Sequence, residues 1–253
     1  MLTHPLYDQL RQLKLDGFLK GVLEQESQPD IDQLTFMDRL GLLLDRELSA
    51  RENKRLASRL REAKLKQAAA IEDLDFKTPR KLDRALILKL GDGQWISQHQ
   101  NLLITGPTGV GKSFLACAIG QKACRLGHRV LYQRLGRLLL ELDIARGDGR
   151  YPRLMNTLAK VDVLILDDWG LEGGINDRQR RDLLEVLDDR YASRSTIVTS
   201  QLPVDSWHQH IGDPTLADAI LDRMVHNAYR IALDGPSMRR KKASLQPEKP
   251  SIN

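Results

Sequence analysis

The spacing of apolar residues changes character twice along the chain. Up to about residue 68 it is helical. Leu6, Leu10, Leu13, Phe18, Leu19 and Leu23 fall on one face of an amphipathic segment, which Ser27-Gln28-Pro29-Asp30 interrupts. A second segment starts at Thr35, a helix N-cap residue by type, and runs without proline to about Lys66. At 1.5 Å per residue it predicts a helix of roughly 45 Å. Residues 69–100 read as a connector with a short helix over 78–90, Pro79 suiting its first turn and Gly91-Asp92-Gly93 ending it. From residue 101 short apolar runs alternate with amphipathic stretches. They predict strands at 102–105, 129–133, 161–166, 196–200 and 229–233, and helices at 112–126, 135–145, 176–192 and 216–227. A βαβ series of this kind implies a parallel sheet covered by helices on both faces. The expected organisation is a small all-helical N-terminal domain (1–68), a connector (69–100), an α/β domain (101–240) and a short basic tail (241–253).

The first strand runs into Gly106-Pro107-Thr108-Gly109-Val110-Gly111-Lys112-Ser113, and a helix beginning with Phe114 follows. This is G-x-x-x-x-G-K-[ST] in its strand-to-helix context, a P-loop. Glycines let successive N–H groups turn toward an anion, and the helix N-terminus adds its dipole. Lys112 reaches the β- and γ-phosphates of a bound ATP, and the Ser113 hydroxyl is placed to ligate Mg²⁺. The segment 161–168 is almost continuously apolar and ends in Asp167-Asp168. It reads as a strand buried on both faces with two acids at its carboxyl end, where ligands bind in open α/β sheets. Asp167 is expected in the Mg²⁺ shell and Asp168 beside the attacking water, as in a Walker B strand.

Composition changes little in this picture. At 253 residues with 41% hydrophobic content the chain can bury one large domain, or a medium one plus a small one. No apolar run approaches the roughly 18 residues of a membrane span, and residues 1–10 show no secretory pattern, so a cytoplasmic protein is expected. Cys117 and Cys124 lie two turns apart on one helix and read as reduced, buried thiols. His208, His210 and His226 have no partner set with zinc spacing. Charge is more informative. Residues 51–66 carry seven basic and two acidic residues, a surplus equal to the net charge of the whole chain, +5.

Three further blocks narrow the class. Thr196-Ile197-Val198-Thr199-Ser200 ends in polar residues followed by Gln201; any of Thr199, Ser200 and Gln201 can serve as the γ-phosphate sensor of an AAA+ ATPase. Arg223, in Ala219-Ile220-Leu221-Asp222-Arg223-Met224, resembles the arginine finger that initiators and helicase loaders offer to a neighbouring subunit. Gly235-Pro236-Ser237-Met238-Arg239 resembles the G-x-S-x-R ending of the same branch. With blocks 164–170, 199–203, 216–227 and 234–239, the chain resembles the IstB-type transposition helper ATPases, relatives of DnaC-type helicase loaders, over nearly its full length. The resemblance implies an AAA+ P-loop NTPase that binds ATP and Mg²⁺, hydrolyses ATP, forms an ATP-dependent homo-oligomer, binds double-stranded DNA and assists a partner transposase. Two departures stand out. The acidic pair is Asp-Asp where Asp-Glu is usual, which shortens the reach of the second acid. Few residues follow Arg239, so a helical lid is expected to be missing or very short, and with it the setting of a sensor 2 arginine.

For DNA, Arg51, Lys54, Arg55 and Arg59 of the basic half-helix are candidate phosphate contacts, and Arg137, Arg146, Arg150 and Arg153 form a second basic group with Arg134. A solvated helix face is the plain alternative. Tyr151 is the one aromatic residue that interleaves with the second group, and duplex backbone is expected over stacked single strands. Trp169 is assigned to packing, with adenine stacking as the alternative. Arg190 is open between a subunit interface and a surface salt bridge to Asp188 or Asp189. Two other functions stay in view, a DnaC-like loader acting on single-stranded DNA and a metabolic P-loop kinase with no use for Arg223.

Overall fold

The computed structural model describes residues 5–170 and 174–238. They form two compact units, Met1–Ser58 and Arg59–Asn253. The connector therefore belongs with the second unit, and the division falls within the long helix.

In the first unit the amphipathic stretch is two helices, α1 (Pro5–Gln12) and α2 (Asp16–Glu26). The single segment expected from its periodicity breaks at Lys14, whose φ of +56° lies in the left-handed region that a continuing helix cannot contain. Helix α3 (Phe36–Ala63) starts where Thr35 accepts a hydrogen bond from the Asp38 N–H at 3.2 Å, and stops before Lys64, again at positive φ. Glu47 is buried and accepts from the Phe18 N–H at 3.0 Å, tying α2 to α3 through a charge-assisted bond.

In the second unit the connector helix begins later than Pro79. Helix α4 (Arg84–Gly91) is N-capped by Asp83, whose carboxylate accepts from the N–H groups of Ala85 and Leu86. Lys81 at φ +54° prevents an earlier start, so Pro79 lies before the helix and not in its first turn. A single turn, α5 (Gln94–Ser97), follows. The five strands are β1 (Asn101–Thr105), β2 (Val130–Arg134), β3 (Val163–Trp169), β4 (Ser195–Ser200) and β5 (Ala228–Ala232). All pair in parallel, in the order β2-β3-β4-β1-β5. The five predicted strands are all present.

Alternation along each strand sorts side chains to the two faces. Leu103, Leu164, Leu166 and Val198 point into one large apolar cluster. The helices over that face are α7 (Leu135–Gly147), α8 (Tyr151–Lys160), α9 (Asp177–Arg190), α10 (Trp207–Ile211) and α11 (Pro214–Val225). Helix α6 (Lys112–Arg125) covers the opposite face, so close that a Cβ on Gly120 would come within 2.8 Å of Ile165 Cδ1. Helix α8 is absent from the elements expected above, although Tyr151, Leu154, Met155 and Leu158 mark a helical stripe. The Gly147-Asp148-Gly149 break makes that stretch read as loop.

Two side-chain assignments are resolved here. Trp169 is 1% exposed and packs on Trp207 at 5.1 Å between ring centroids, so packing is its role. Arg190 is neither at a surface pair nor at an interface. It is 1% exposed and donates to the carbonyls of Leu158, Val161 and Ser195 and to Thr196 Oγ1. Burial, with the like charge of Arg194, pushes its pKa down to about 9. Both cysteines are buried free thiols, and burial raises Cys124 to about 11. Among the described residues no helix is long and apolar enough to cross a membrane. Arg239 and the tail 241–253 lie outside the described residues.

Candidate nucleotide-binding site

The sheet order decides the site. Strand β4 lies between β1, which feeds the P-loop, and β3, which carries the acids. The carboxyl ends of all three meet at one edge, with the N-terminus of α6 rising from it. The loop is anchored at its start by the Gly106 N–H on Ser200 O, 3.2 Å. Gly109 and Gly111 sit at φ +85° and +107°, where a side chain is strained. Lys112 Nζ folds onto the carbonyls of Gly106 and Pro107 at 2.7 and 2.9 Å. Pro107, Thr108 and Val110 complete the loop, and the Thr108 hydroxyl donates to Gln201 Oε1 at 2.6 Å, bridging it to the end of β4.

Asp167 is fully buried at the centre. Its Oδ1 accepts from Ser113 Oγ at 2.7 Å and from Thr199 Oγ1 at 2.5 Å. Its Oδ2 accepts from the Tyr132 hydroxyl and from Lys66 Nζ at 3.2 Å. Burial alone pushes this carboxyl upward. The three hydroxyl donors and the Lys66 charge outweigh it, and the net shift is downward, so Asp167 is anionic at neutral pH. Tyr132 is pushed well above its usual range by burial and by Asp167, and acts as a hydrogen-bond donor.

Register slips between Leu166 and Trp169, and Asp168 has φ +66°. An ideal strand would send adjacent side chains to opposite faces. The bulge brings both acids to one side, and Lys66 Nζ is 3.2 Å from Asp167 and 3.9 Å from Asp168. Asp168 is an acceptable residue there because short polar side chains tolerate the left-handed region. Its Oδ2 is gripped by Arg134 Nε and Nη2 at 2.9 and 2.6 Å.

A cleft of about 440 Å³ opens over these groups, lined among others by Thr108, Gly111, Lys112, Ser113, Asp168 and Gln201. Phe114 and Met238 supply apolar wall, Gln67 enters from the segment after α3, and Asp73, Asp75 and Arg80 enter from the connector. The donor set fits a magnesium nucleotide. Ser113 Oγ and the ionised Asp167 are hard oxygen ligands 2.7 Å apart, beside a lysine and a helix N-terminus suited to phosphate.

The three sensor candidates separate by strand alternation. Thr199 reaches Asp167 and Gln201 reaches the P-loop, whereas Ser200 Oγ faces the other way, donating to Trp169 O at 2.8 Å and accepting from Leu202 N. The structure therefore does not bring Ser200 to the acids. Arg223 lies away from the cleft, on Asp188 Oδ1 at 2.5 Å and 3.6 Å from Asp222. Of the basic candidates, Lys54, Arg55, Arg137 and Arg153 are exposed. Arg51 pairs with Glu47, and Arg150 with Asp148. Arg59 Nε donates to Cys124 O at 2.9 Å, near the end of α6, and Arg146 grips Asp182 while stacking 3.6 Å over Tyr151. Those last two guanidinium groups are engaged within the fold. Lys66, Arg80 and Tyr132 join the site without being marked in the sequence. Nothing in their local spacing singles them out, since only the folded segment after α3, the connector and β2 bring them in. Among the described residues no cluster of His, Cys, Asp and Glu can hold a metal ion by itself.

A P-loop after β1, acids near the carboxyl end of β3, at Asp167-Asp168, and a polar β4 end between the two strands define an AAA+ P-loop nucleotide-binding protein. A family model described as IstB-like ATP binding protein matches residues 8–246, and the chain belongs to that family of ATP-binding proteins. It is 58% identical over 240 residues to an insertion sequence ATP-binding protein of Sinorhizobium fredii, covering 95% of this chain and 98% of that one. It is 33% identical to the insertion sequence IS21 ATP-binding protein of Pseudomonas aeruginosa, over 93% of this chain and 88% of the relative. Among solved structures, DnaI matches with a TM-score of 0.56 at 22% identity, covering 70% of this chain and 93% of its own. The DnaC helicase loader matches at 0.52 and 20%, covering 69% and 98%. At those identities the likeness is one of fold.

Proposed function

We propose that this protein is a Mg²⁺-dependent ATPase of an insertion sequence, acting in the cytoplasm on double-stranded DNA as an ATP-dependent homo-oligomer and stimulating a partner transposase. The observation that carries the ATPase reading is Asp167, ionised and shared between the P-loop serine and Thr199 of β4. Ser113 and Asp167 would hold magnesium, which when bound would neutralise charge on the phosphate oxygens. Lys112 leaves the loop carbonyls for the β- and γ-phosphates, and the α6 N-terminus adds its positive end. Asp168 orients the water once its carboxylate is released from Arg134, and Thr199 and Gln201 fix the geometry around it. Catalysis by such a set is positioning and charge stabilisation. Arg223, held at the surface by Asp188, is available to a neighbouring subunit's nucleotide.

Support for the DNA and transposase parts comes from the relatives, which are named as insertion sequence ATP-binding proteins, and from the exposed Lys54 and Arg55. The test is binding to labelled duplex and single-stranded DNA with and without ATP, beside strand-transfer assays with the transposase of the same element. ATP-promoted duplex binding and faster strand transfer are expected. A preference for single strands with no effect on the transposase transfers the protein to the helicase-loader reading.

A further inference from the structure

Arg80 is a connector residue that touches the P-loop, and it is an unusual buried cation. It is 3% exposed, and among the described residues no carboxylate pairs with it within 4 Å. Its Nη1 donates to the carbonyl of Val110 at 3.1 Å and its Nη2 to the carbonyl of Asp75 at 3.0 Å. Its Nε is buried with no hydrogen-bond partner among the described residues. A guanidinium so placed loses hydration, and its pKa is lowered by that burial, which the charge of Asp75 only partly offsets. A leucine or methionine would fill the space at less cost, so packing alone does not account for an arginine here.

The Val110 carbonyl gives the reason. It belongs to the same rigid trans peptide as the Gly111 N–H, and the two point in opposite directions. Pinning the carbonyl on Arg80 turns the N–H to the other edge, the one a P-loop presents to phosphate. The residue after that peptide is also constrained by Arg80, since a Cβ on Gly111 would lie 2.6 Å from Nη1. The clasp has a second side. The Arg80 carbonyl accepts from the Asp234 N–H at 3.1 Å, Lys81 pairs with Asp234 at 3.0 Å, and a Cβ on Gly235 would come within 2.5 Å of Pro79 O. A few residues on, the Met238 N–H donates to Gly109 O at 2.9 Å. The connector and the segment after β5 thus close on the P-loop together, with Arg80 at their junction.

We propose that Arg80 is a positioning residue for nucleotide binding, holding the Val110–Gly111 peptide so that its N–H faces the bound phosphates. It acts through the loop and touches no reacting atom. The inference rests on the P-loop being the ATP site, and Lys112→Ala separates the two ideas. Loss of ATP binding in Lys112→Ala with no change in an Arg80 variant leaves the site in place and removes the role of Arg80.

The experiment titrates full-length protein with ATP, ADP and adenosine, comparing Arg80→Met and Arg80→Lys with the wild type. Far-ultraviolet circular dichroism and thermal melting without nucleotide verify folding first. Arg80→Met is expected to weaken ATP and ADP by about tenfold, the size of one missing charge-assisted hydrogen bond, and to leave adenosine within about twofold. Hydrolysis at saturating ATP should stay within about twofold, so the change falls on KM. Arg80→Lys keeps one donor for Val110 O, and intermediate affinity is expected. Equal weakening of all three ligands, or unchanged ATP affinity, overturns the proposal, because general loosening and plain burial predict those results. Where Arg80→Met does not fold, hydrogen exchange on the wild type decides. ATP should slow exchange in the peptides that contain Arg80 and Val110–Gly111 together, and protection of the loop alone overturns the role.

Discussion

Arg134, the last residue of β2, holds Asp168 of β3 through both Nε and Nη2, at 2.9 and 2.6 Å, on a carboxylate whose backbone is already left-handed. The acid assigned to water is thus occupied by a neighbour from the adjacent strand. Arg134→Ala should free it and raise basal ATP hydrolysis without DNA. An exposed ion pair is worth at most about 1 kcal/mol, so the rise is bounded at about fivefold. A phosphate-release assay checks it, and a fall in rate would instead make Arg134 part of the productive arrangement.

Lys112→Ala and Asp168→Asn should differ in kind. The first removes the cation aimed at the β- and γ-phosphates and should abolish or severely weaken ATP binding. The second leaves the loop, Ser113 and Asp167 in place and should bind ATP nearly normally while turnover stops. Nucleotide titration beside single-turnover hydrolysis distinguishes them. Normal ATP affinity in Lys112→Ala would sink the site assignment.

Arg223→Ala removes a surface pair with Asp188, so little stability is at stake. The variant should bind ATP and hydrolyse it poorly. Mixing it with Lys112→Ala protein should restore activity where an intact P-loop meets an intact Arg223. An arginine finger contributes on the order of 10³-fold or more, so sparse productive junctions are measurable. No recovery after confirmed co-assembly places Arg223 in its own subunit's fold.

For DNA, the variant to make is Lys54→Glu with Arg55→Glu. Arg59 is a poor choice because its guanidinium holds Cys124 O and its removal would disturb the α6 terminus. Duplex affinity should fall, and the slope of log affinity against log salt should flatten by about one for each phosphate that is no longer neutralised. Fluorescence anisotropy over a salt series reads both. Unchanged affinity and slope leave this stretch as a solvated helix face.

Arg190→Met should destabilise the protein without touching nucleotide chemistry. Its guanidinium satisfies the carbonyls of Leu158, Val161 and Ser195, and a thioether leaves them buried without a donor. The cost is on the order of 3 kcal/mol, read as a lower chemical-denaturation midpoint.

Sequence pattern by itself determined the P-loop, the acidic strand, all five strands and most of the helices on either side, because glycine placement, apolar runs and caps act over a few residues. The blocks at 199–203 and 216–227 carried the family on the same local basis. Tertiary structure decided what lies across strands and from the connector. The sheet order sets Thr199 against Asp167, the bulge at 167–168 turns two acids to one side, and the fold brings Lys66 to Asp167 and Arg80 to the P-loop. It also took Arg190 inside and Ser200 away from the acids. Those outcomes depend on which strands become neighbours and which side of each faces the cleft, and long-range packing and hydrogen bonding set both.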